Sequence, residues 1–390
     1  MLDLSRVLAG PLCTMVLADL GAEVIKVERP ATGDDTRQWG PPWVGEGDDR
    51  QSAYFLCANR NKRSVLADLD RDEDRRLVGD LARTADVLIE NFRPGTLERR
   101  ALGYDTLAED NPGLVSCSIT GYDPAGPAAL TPGYDFALQA ASGWMAVTGE
   151  SEGTPSKVGV AVVDVLTGQN AAIAILAALR ERERSGRGQK ITVSLFDSAL
   201  AGLVNVSQAA LATGRPAPRH GNAHPTIVPY EAFEAADRIF VVAVGNDAQW
   251  VRFCEAAELP SLATDARFRT NPDRVEHREA LSEILSDHFR SAPARYWLER
   301  LEGAEVPCAP VRDVTEALDD PAALPRDGWR MRVGEATVET VPPPYRLSRT
   351  PPSLARSAPL AGEHDAEVRT HGWNPPPAEP LRSNHERIPT

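Results

Sequence analysis

The sequence predicts an α/β fold with a Rossmann-like parallel sheet in a large domain and a smaller α+β domain after it. Over the first half of the chain, short apolar runs alternate with amphipathic helical patterns, as in parallel sheets whose strands are joined by helices. The chain has 390 residues, more than one ordinary domain needs. A proline-containing break at 215–218 then interrupts the pattern. Together these observations predict two domains.

The first elements form a repeated unit of helix and strand. Apolar residues between Leu12 and Leu20 fall on one helical face, and Gly21 is placed to end that helix. The next apolar run predicts a strand that ends before Pro30. Patterns of the same kind predict a helix at 72–83 and strands at 23–28, 86–90, 114–119 and 190–195.

Asp164 lies at a junction between two patterns. The apolar run 158–163 predicts a strand, and 165–184 predicts a long helix. The carboxylate of Asp164 would therefore meet the free N–H groups at the start of that helix, where an anion is stabilised. Spacing alone favours a helix N-cap and leaves a functional anion as the alternative.

The second half predicts a different arrangement. The run 196–214 reads as one long helix, and the later patterns predict a strand at 238–244 with helices at 248–257, 274–290 and 293–302, the last with Pro293 at its first position. A proline-rich stretch at 341–352 predicts a return to the first domain, and 374–390 a poorly ordered tail. The predicted division is a large domain at 1–200, a linker at 201–230, a small domain at 231–325, and a return segment with the tail at 326–390.

Composition narrows the class of protein. The formal net charge of −14 argues against nucleic acid or an anionic membrane as partner. Five widely spaced cysteines predict reduced thiols rather than a disulfide framework. The N-terminus has no signal pattern, and no window approaches the unbroken apolar length of a membrane span. These observations predict a cytoplasmic protein.

Several common sites are not predicted. The chain has no Gly-x-Gly-x-x-Gly after its first strand and no phosphate-binding Gly-x-x-x-x-Gly-Lys motif, so neither a dinucleotide nor a nucleoside triphosphate site is supported. The histidines lack metal-ligand spacing, so no metal site is expected. Basic residues follow several predicted strands, but each alone reads as an exposed surface charge.

Short motifs in a fixed order carry a resemblance that covers nearly the whole chain. They lie at 7–11 (Val-Leu-Ala-Gly-Pro), 19–27, 59–64, 90–95, 131–135, around Asp164, at 186–189 and at 221–225. In order and spacing they resemble the family III CoA-transferases, which include formyl-CoA transferase and the α-methylacyl-CoA racemases. The likeness is greatest to the dicarboxylate branch, such as the succinyl-CoA:glutarate CoA-transferases.

The resemblance implies roles for particular residues. Asp164 aligns with the covalent nucleophile, and Asp135 with an acid often close to it, although a turn or cap aspartate is an equal alternative. His224 would help to bind the acceptor acid or would be a simple loop histidine. The positions that would line the CoA site are Leu8, Ala9, Arg29, Ala67, Asn91, Phe92, Arg93 and Arg99. The family also implies an interlocked homodimer, with CoA as substrate and no tightly bound cofactor.

The resemblance thus implies a CoA-transferase that moves CoA from an acyl-CoA donor such as succinyl-CoA to a small carboxylic acid, with a dicarboxylic acid favoured. Asp164 would be ionised at neutral pH, since the ordinary carboxyl pKa is about 4, and would attack the thioester. The absence of a glycine run near Asn222 argues against oxalate as acceptor. Two alternatives remain. A racemase is disfavoured because Tyr134 stands where that branch has a histidine base; a non-catalytic CoA-binding protein would form no covalent adduct.

Overall fold

The computed structural model describes residues 1–374, so the tail predicted at 374–390 lies, apart from Asn374, outside the described residues. The chain forms two compact units. Of the described residues, the first contains Met1–Ser142, Val160–Val204 and 324–374. The second contains Gly143–Gly159 and Asn205–Ala323.

The strands within the described residues are β1 (Leu2–Asp3), β2 (Val24–Glu28), β3 (Trp43–Val44), β4 (Gln51–Ser52), β5 (Lys62–Leu66), β6 (Val87–Glu90), β7 (Val115–Thr120), β8 (Lys190–Ser194), β9 (Tyr230–Glu234), β10 (Ile239–Ala243), β11 (Cys308–Pro310), β12 (Arg330–Val333) and β13 (Ala336–Glu339).

The α-helices of the same residues are α1 (Ala9–Asp19), α2 (Ala53–Asn59), α3 (Asp72–Thr84), α4 (Tyr104–Asp110), α5 (Asp135–Ala141), α6 (Trp144–Val147), α7 (Val162–Ser185), α8 (Leu195–Gly202), α9 (Val204–Thr213), α10 (Asp247–Ala256), α11 (Asn271–Glu276), α12 (Arg278–Phe289), α13 (Ala294–Gly303), α14 (Val314–Leu318) and α15 (Asp365–His371).

The first unit is built on a six-stranded sheet in the order β5-β2-β1-β6-β7-β8, and every neighbouring pair is parallel. This confirms the predicted parallel sheet. Its inner strands are buried along their length, as expected when helices cover both faces. The order turns back at β1, which pairs with β2 on one side and β6 on the other. Ligands of such sheets bind beyond the carboxyl ends of the strands at this switch point.

The core of the first unit is apolar and includes α3. Side chains from β1, β2, β5 and β6 pack there with α3, namely Leu2, Ile25, Val65, Leu88, Val78 and Leu81. The second unit has its own core around the antiparallel sheet β11-β10-β9, with Phe240, Trp250, Phe289 and Trp297 all at 0–1% exposure.

The region around Asp164 differs from the prediction. No strand forms at 158–163 among the described residues, and α7 begins at Val162. Asp164 is the third residue of that helix, and Ala161 occupies the N-cap, so the N-cap interpretation is wrong. A carboxylate from α5 accepts hydrogen bonds from the first turn of α7, which the local sequence could not reveal.

Two predicted helices are each divided in two. The run 196–214 forms α8 and α9, separated at Leu203, and Val204 takes a positive φ of 40° there. The run 274–290 forms α11 and α12, which meet at His277, and α11 begins earlier because Thr270 and Asp273 form a capping box. Pro293 is the N-cap of α13 rather than its first residue. Apolar periodicity predicted the helices but not these breaks.

Helix α7 is apolar for most of its length. An 18-residue window of Val162–Ser185 has a mean hydropathy of 1.7, so by length and composition the helix could span a membrane, although polar residues interrupt it and its longest unbroken apolar run covers only 171–179. In the fold, α7 packs against α1 and α8, and 44% of the window is buried. The long core helix of a folded unit can pass the same test of length and hydropathy, so the test alone does not identify α7 as a membrane span.

Candidate active site

A cavity of about 330 Å³ opens in the first unit, where the loops after β1, β6 and β7 meet. It brings together most of the residues predicted for the site. Leu8, Ala9, Asn91, Phe92, Arg93, Tyr134 and Asp164 all line it, together with Arg6, Asp35, Leu130 and Leu195. Arg29, Ala67, Arg99 and Asp135 do not line it.

Asp164 reaches the cavity from the first turn of α7. Its side chain is buried, with the residue 8% exposed, and its carboxylate accepts no hydrogen bond within the described part of the chain. Burial, followed by the negative charge of Asp135, raises the pKa of Asp164 from 3.8 to about 7. This pKa lies well above the ordinary value on which the expectation of ionisation at neutral pH was based, so the protonated form competes with the ionised form near pH 7. A desolvated carboxylate without hydrogen bonds is suited to nucleophilic attack.

The sequence left open whether Asp135 is a cap aspartate or an acid close to Asp164, and the structure shows both features. Its Oδ1 accepts the N–H of Val163 at 2.8 Å and that of Asp164 at 3.4 Å, so it caps α7 from the start of α5. Its Oδ2 accepts a hydrogen bond from Gln139 at 2.7 Å. The cap also brings a second negative charge close to Asp164, and this charge helps to raise its pKa.

Tyr54 is a neighbour of both carboxylates that sequence reasoning missed. Burial, then the charges of Asp164, Cys57 and Asp135, raise the pKa of Tyr54 to about 12. The phenol therefore stays protonated and can donate a hydrogen bond. Its ring meets Trp39 edge-on, with centroids 5.1 Å apart. The two residues are 15 positions apart in sequence and more than 100 from Asp164, so no local pattern pointed to them.

Asn91 is held in a reciprocal contact with Arg6 across the switch point of the sheet. The N–H of Arg6 donates to Asn91 Oδ1 at 2.9 Å, and Asn91 Nδ2 donates to the carbonyl of Arg6 at 2.7 Å. Arg6 follows β1 and Asn91 follows β6, which are neighbouring strands. The Arg6 guanidinium lies 5.5 Å from the centre of the Phe92 ring. These contacts join the two loops that form the floor of the cavity.

Helix α1 begins at the cavity without a side-chain cap. Leu8 is its N-cap residue and has no capping oxygen, and its first turn contains no acidic residue. The first N–H groups of the helix therefore lack intrahelical partners. Helix α7 approaches this point closely, because a Cβ on Gly168 would lie 2.6 Å from the Ala9 carbonyl oxygen. Only glycine fits there, and the contact brings the start of α1 beside Asp164.

The basic residues predicted for CoA lie in different places. Arg93 lines the cavity. Arg29 is half-exposed and pairs with Asp35 at 2.5 Å, and the other oxygen of Asp35 lies 3.5 Å from Arg6. Arg99 borders a shallow surface depression together with Asp70, Arg75 and Arg100. These cations form no single cluster, although each lies in the first unit.

Two further predicted residues are not at the cavity. Ala67 is 3% exposed and its N–H donates to the carbonyl of Glu28, which continues the β2–β5 ladder. His224 belongs to the second unit, where its Nδ1 accepts the N–H of Thr226 and its ring lies 5.2 Å from that of Tyr230. No cluster of three potential metal ligands occurs among residues 1–374.

Comparisons with known proteins agree with this architecture. The sequence profile described as CoA-transferase family III matches residues 1–365. A succinate–glutarate CoA-transferase of Agrobacterium fabrum is 44% identical over 94% of this chain and 93% of its own. An acetyl-CoA:oxalate CoA-transferase of Acetobacter aceti is 42% identical over 84% of this chain and 83% of its own. The crystal structure of a CAIB/BAIF family protein from Brucella suis superposes with a TM-score of 0.83 at 40% identity, covering 95% of this chain and 97% of that one.

Proposed function

The chain belongs to CoA-transferase family III, and we propose that it moves CoA from an acyl-CoA donor such as succinyl-CoA to a small dicarboxylic acid through a covalent intermediate on Asp164. The observation that carries this proposal is a buried carboxyl with a pKa of about 7 at the wall of a cavity, without a hydrogen-bond partner among the described residues. An exposed surface aspartate keeps a pKa near the ordinary value, and a capping aspartate accepts hydrogen bonds from the helix.

The proposed reaction exchanges carboxylate and thiolate on one side chain. The ionised Asp164 attacks the thioester carbonyl of the donor and the carbon–sulfur bond breaks. CoA leaves as the thiolate, and the donor acyl group remains on Asp164 as a mixed anhydride. The thiolate attacks the aspartyl carbonyl, giving an aspartyl-CoA thioester and the free donor acid. The acceptor carboxylate then attacks this thioester, which forms a second mixed anhydride with Asp164 and releases the thiolate. That thiolate attacks the acceptor acyl group, which forms the new acyl-CoA and regenerates Asp164.

The residues around Asp164 support each stage. The unpaired N–H groups at the start of α1 would stabilise the oxyanion that forms as the carbonyl is attacked. The Asn91 side chain, predicted to contact CoA, is used to hold the Arg6 loop, so its contribution to CoA binding would be to shape the cavity floor. Arg93 and Arg6 supply positive charge for an anionic substrate.

The proposed class of acceptor acid is inferred from the names of the similar proteins. They are named for glutarate and oxalate, which are both dicarboxylic acids. The relative named for oxalate is 42% identical, so the missing glycine run near Asn222 is weak ground for excluding that acid. A panel of dicarboxylic and monocarboxylic acids assayed with succinyl-CoA identifies the acceptor.

The test of the proposal is the variant Asp164→Asn. The amide keeps the volume of the carboxyl but cannot form the anhydride, so transfer should fall by several orders of magnitude while CoA binding persists. Hydroxylamine added to wild type with acyl-CoA should convert Asp164 to a hydroxamate that peptide mass spectrometry detects. The matched control is Asp72→Asn, an exposed first-turn aspartate of α3, which should transfer CoA normally. Substantial turnover by Asp164→Asn would exclude the proposed nucleophile.

We also propose the interlocked homodimer implied by the family. Exposed apolar side chains on α7 and at the start of α9 support a partner surface: Ile173 is 65% exposed, Leu176 48% and Val204 68%. Light scattering over a wide dilution range should report twice the chain mass of 42.2 kDa. A folded, active monomer at low concentration would contradict the interlocked arrangement.

A further inference from the structure

The loop from Ser5 to Leu8, here called the β1–α1 loop, contains a strained residue. Val7 has a φ of 73°, in the left-handed region. A β-branched side chain rarely occupies this region, because its Cβ meets the backbone carbonyl there. Such a conformation persists only where surrounding contacts hold it, and it occurs most often at functional sites.

A buried ion pair holds both sides of this residue. The N–H of Val7 points to both carboxylate oxygens of Asp34 at 3.3 Å, and Lys26 donates to the carbonyl of Ser5 at 2.9 Å. Asp34 and Lys26 themselves are 2.9 Å apart, with both side chains at 0% exposure. The pair therefore fixes the chain immediately before and after Arg6, which Asn91 holds on the opposite side.

Both members of the pair are kept charged in the fold. Burial acts to raise the pKa of Asp34, but the charge of Lys26 and the hydrogen bonds from Thr36 outweigh it and hold that pKa below its ordinary value. Burying two ions carries a large desolvation penalty, and an apolar pair of similar volume is often as stable. Core stability alone thus gives no reason for an ion pair at this position.

The β1–α1 loop leads directly into the start of α1. Leu8 and Ala9 line the cavity with Asp164, and the carbonyl of Ala9 is in close contact with Gly168 of α7. A change of φ at Val7 would redirect these two residues and their N–H groups relative to the Asp164 carboxylate. The conformation of the loop therefore sets where the start of α1 lies at the cavity.

We propose that Lys26 and Asp34 are positioning residues, which hold Val7 in its left-handed conformation so that the first N–H groups of α1 face the thioester carbonyl attacked by Asp164. This inference rests on the proposed CoA transfer. Neither side chain lines the cavity, so neither is assigned a contact with substrate. Their effect is transmitted through the backbone of the β1–α1 loop.

The test uses Asp34→Asn, which keeps the size of the side chain and removes its charge. We expect kcat to fall roughly 10- to 100-fold, as when a reacting group or an oxyanion donor is displaced, with KM for acyl-CoA changed less than about threefold. The matched control is Asp19→Asn. Asp19 is equally buried and pairs with Arg60 at 2.7 Å in the same unit, but it does not contact the loop. Its kcat should stay within about twofold of wild type.

The decisive variant adds Val7→Gly to Asp34→Asn. Glycine adopts a positive φ without the Cβ penalty, so it should restore kcat by roughly tenfold even though the ion pair is lost. A purely structural role for the pair predicts no rescue. If Asp34→Asn does not fold, Lys26→Met/Asp34→Asn, which removes both charges, takes its place with the same glycine comparison.

The outcomes separate the two proposals. If wild type transfers CoA but Asp34→Asn loses no more kcat than Asp19→Asn, or if Val7→Gly restores nothing, the positioning role is wrong while the proposed function stands. If wild type transfers CoA to no acid with any acyl-CoA donor, the proposed function fails and the positioning role fails with it.

Discussion

The raised pKa of Asp164 predicts that its replacement by asparagine stabilises the protein increasingly as pH rises. In the fold, burial and then the charge of Asp135 raise this pKa from 3.8 to about 7. The unfolded chain ionises near the ordinary value, so between the two values folding takes up a proton. Stability therefore falls as pH rises through this window, and the penalty is complete above pH 7.

The magnitude follows from the two pKa values. A shift of this size lowers the free energy of unfolding by about 4 kcal/mol at pH 8 and by less than about 2 kcal/mol at pH 5. The variant Asp164→Asn would carry no such penalty, because an amide does not ionise. The stability difference between Asp164→Asn and wild type should thus grow by about 2–3 kcal/mol from pH 5 to pH 8.

Urea denaturation of both proteins at several pH values measures this difference directly. Asp72→Asn serves as control, since the Asp72 side chain is 73% exposed at the first turn of α3. The free energy of unfolding of this control, relative to wild type, should vary little over the same pH range. The free energy of unfolding of Asp164→Asn, relative to wild type, could instead differ equally at pH 5 and pH 8. That result would refute the reasoning, because it would show that Asp164 ionises in the fold near its ordinary pKa.

Three further predictions concern activity. The pH profile of kcat/KM should rise with a midpoint near 7 as Asp164 ionises, and Asp135→Asn should move the midpoint lower by removing a negative charge; an unmoved midpoint would assign the titration to another group. Gly168→Ala should cost about 1–3 kcal/mol and lower kcat, because its Cβ would lie 2.6 Å from a carbonyl oxygen of α1, whereas Gly79→Ala in α3 has room and should be neutral or stabilising. Wild type should not exchange the α-proton of a 2-methylacyl-CoA in deuterium oxide, since Tyr134 stands where the racemase branch has a histidine base; rapid exchange measured by mass would favour the racemase.

The sequence determined the elements whose signals are local. Strands such as 86–90 and 114–119 were predicted to within about two residues, because buried parallel strands are short apolar runs bounded by polar residues. Gly21 ends α1 at a φ of 104°, as expected from its position after the apolar face. The motif resemblance also identified Asp164, which the structure places at the cavity.

Only the tertiary structure decided how Asp164 is surrounded. Its first-turn position in α7 depends on hydrogen bonds to a carboxylate 29 residues earlier, and this same carboxylate helps to raise its pKa. The Arg6–Asn91 contact spans 85 residues, and the hold of Asp34 on Val7 spans 27. Periodicity and propensity describe neighbours along the chain. Desolvation and charge–charge interactions depend on distance in space, which is set only when the strands pair and the loops at their carboxyl ends meet.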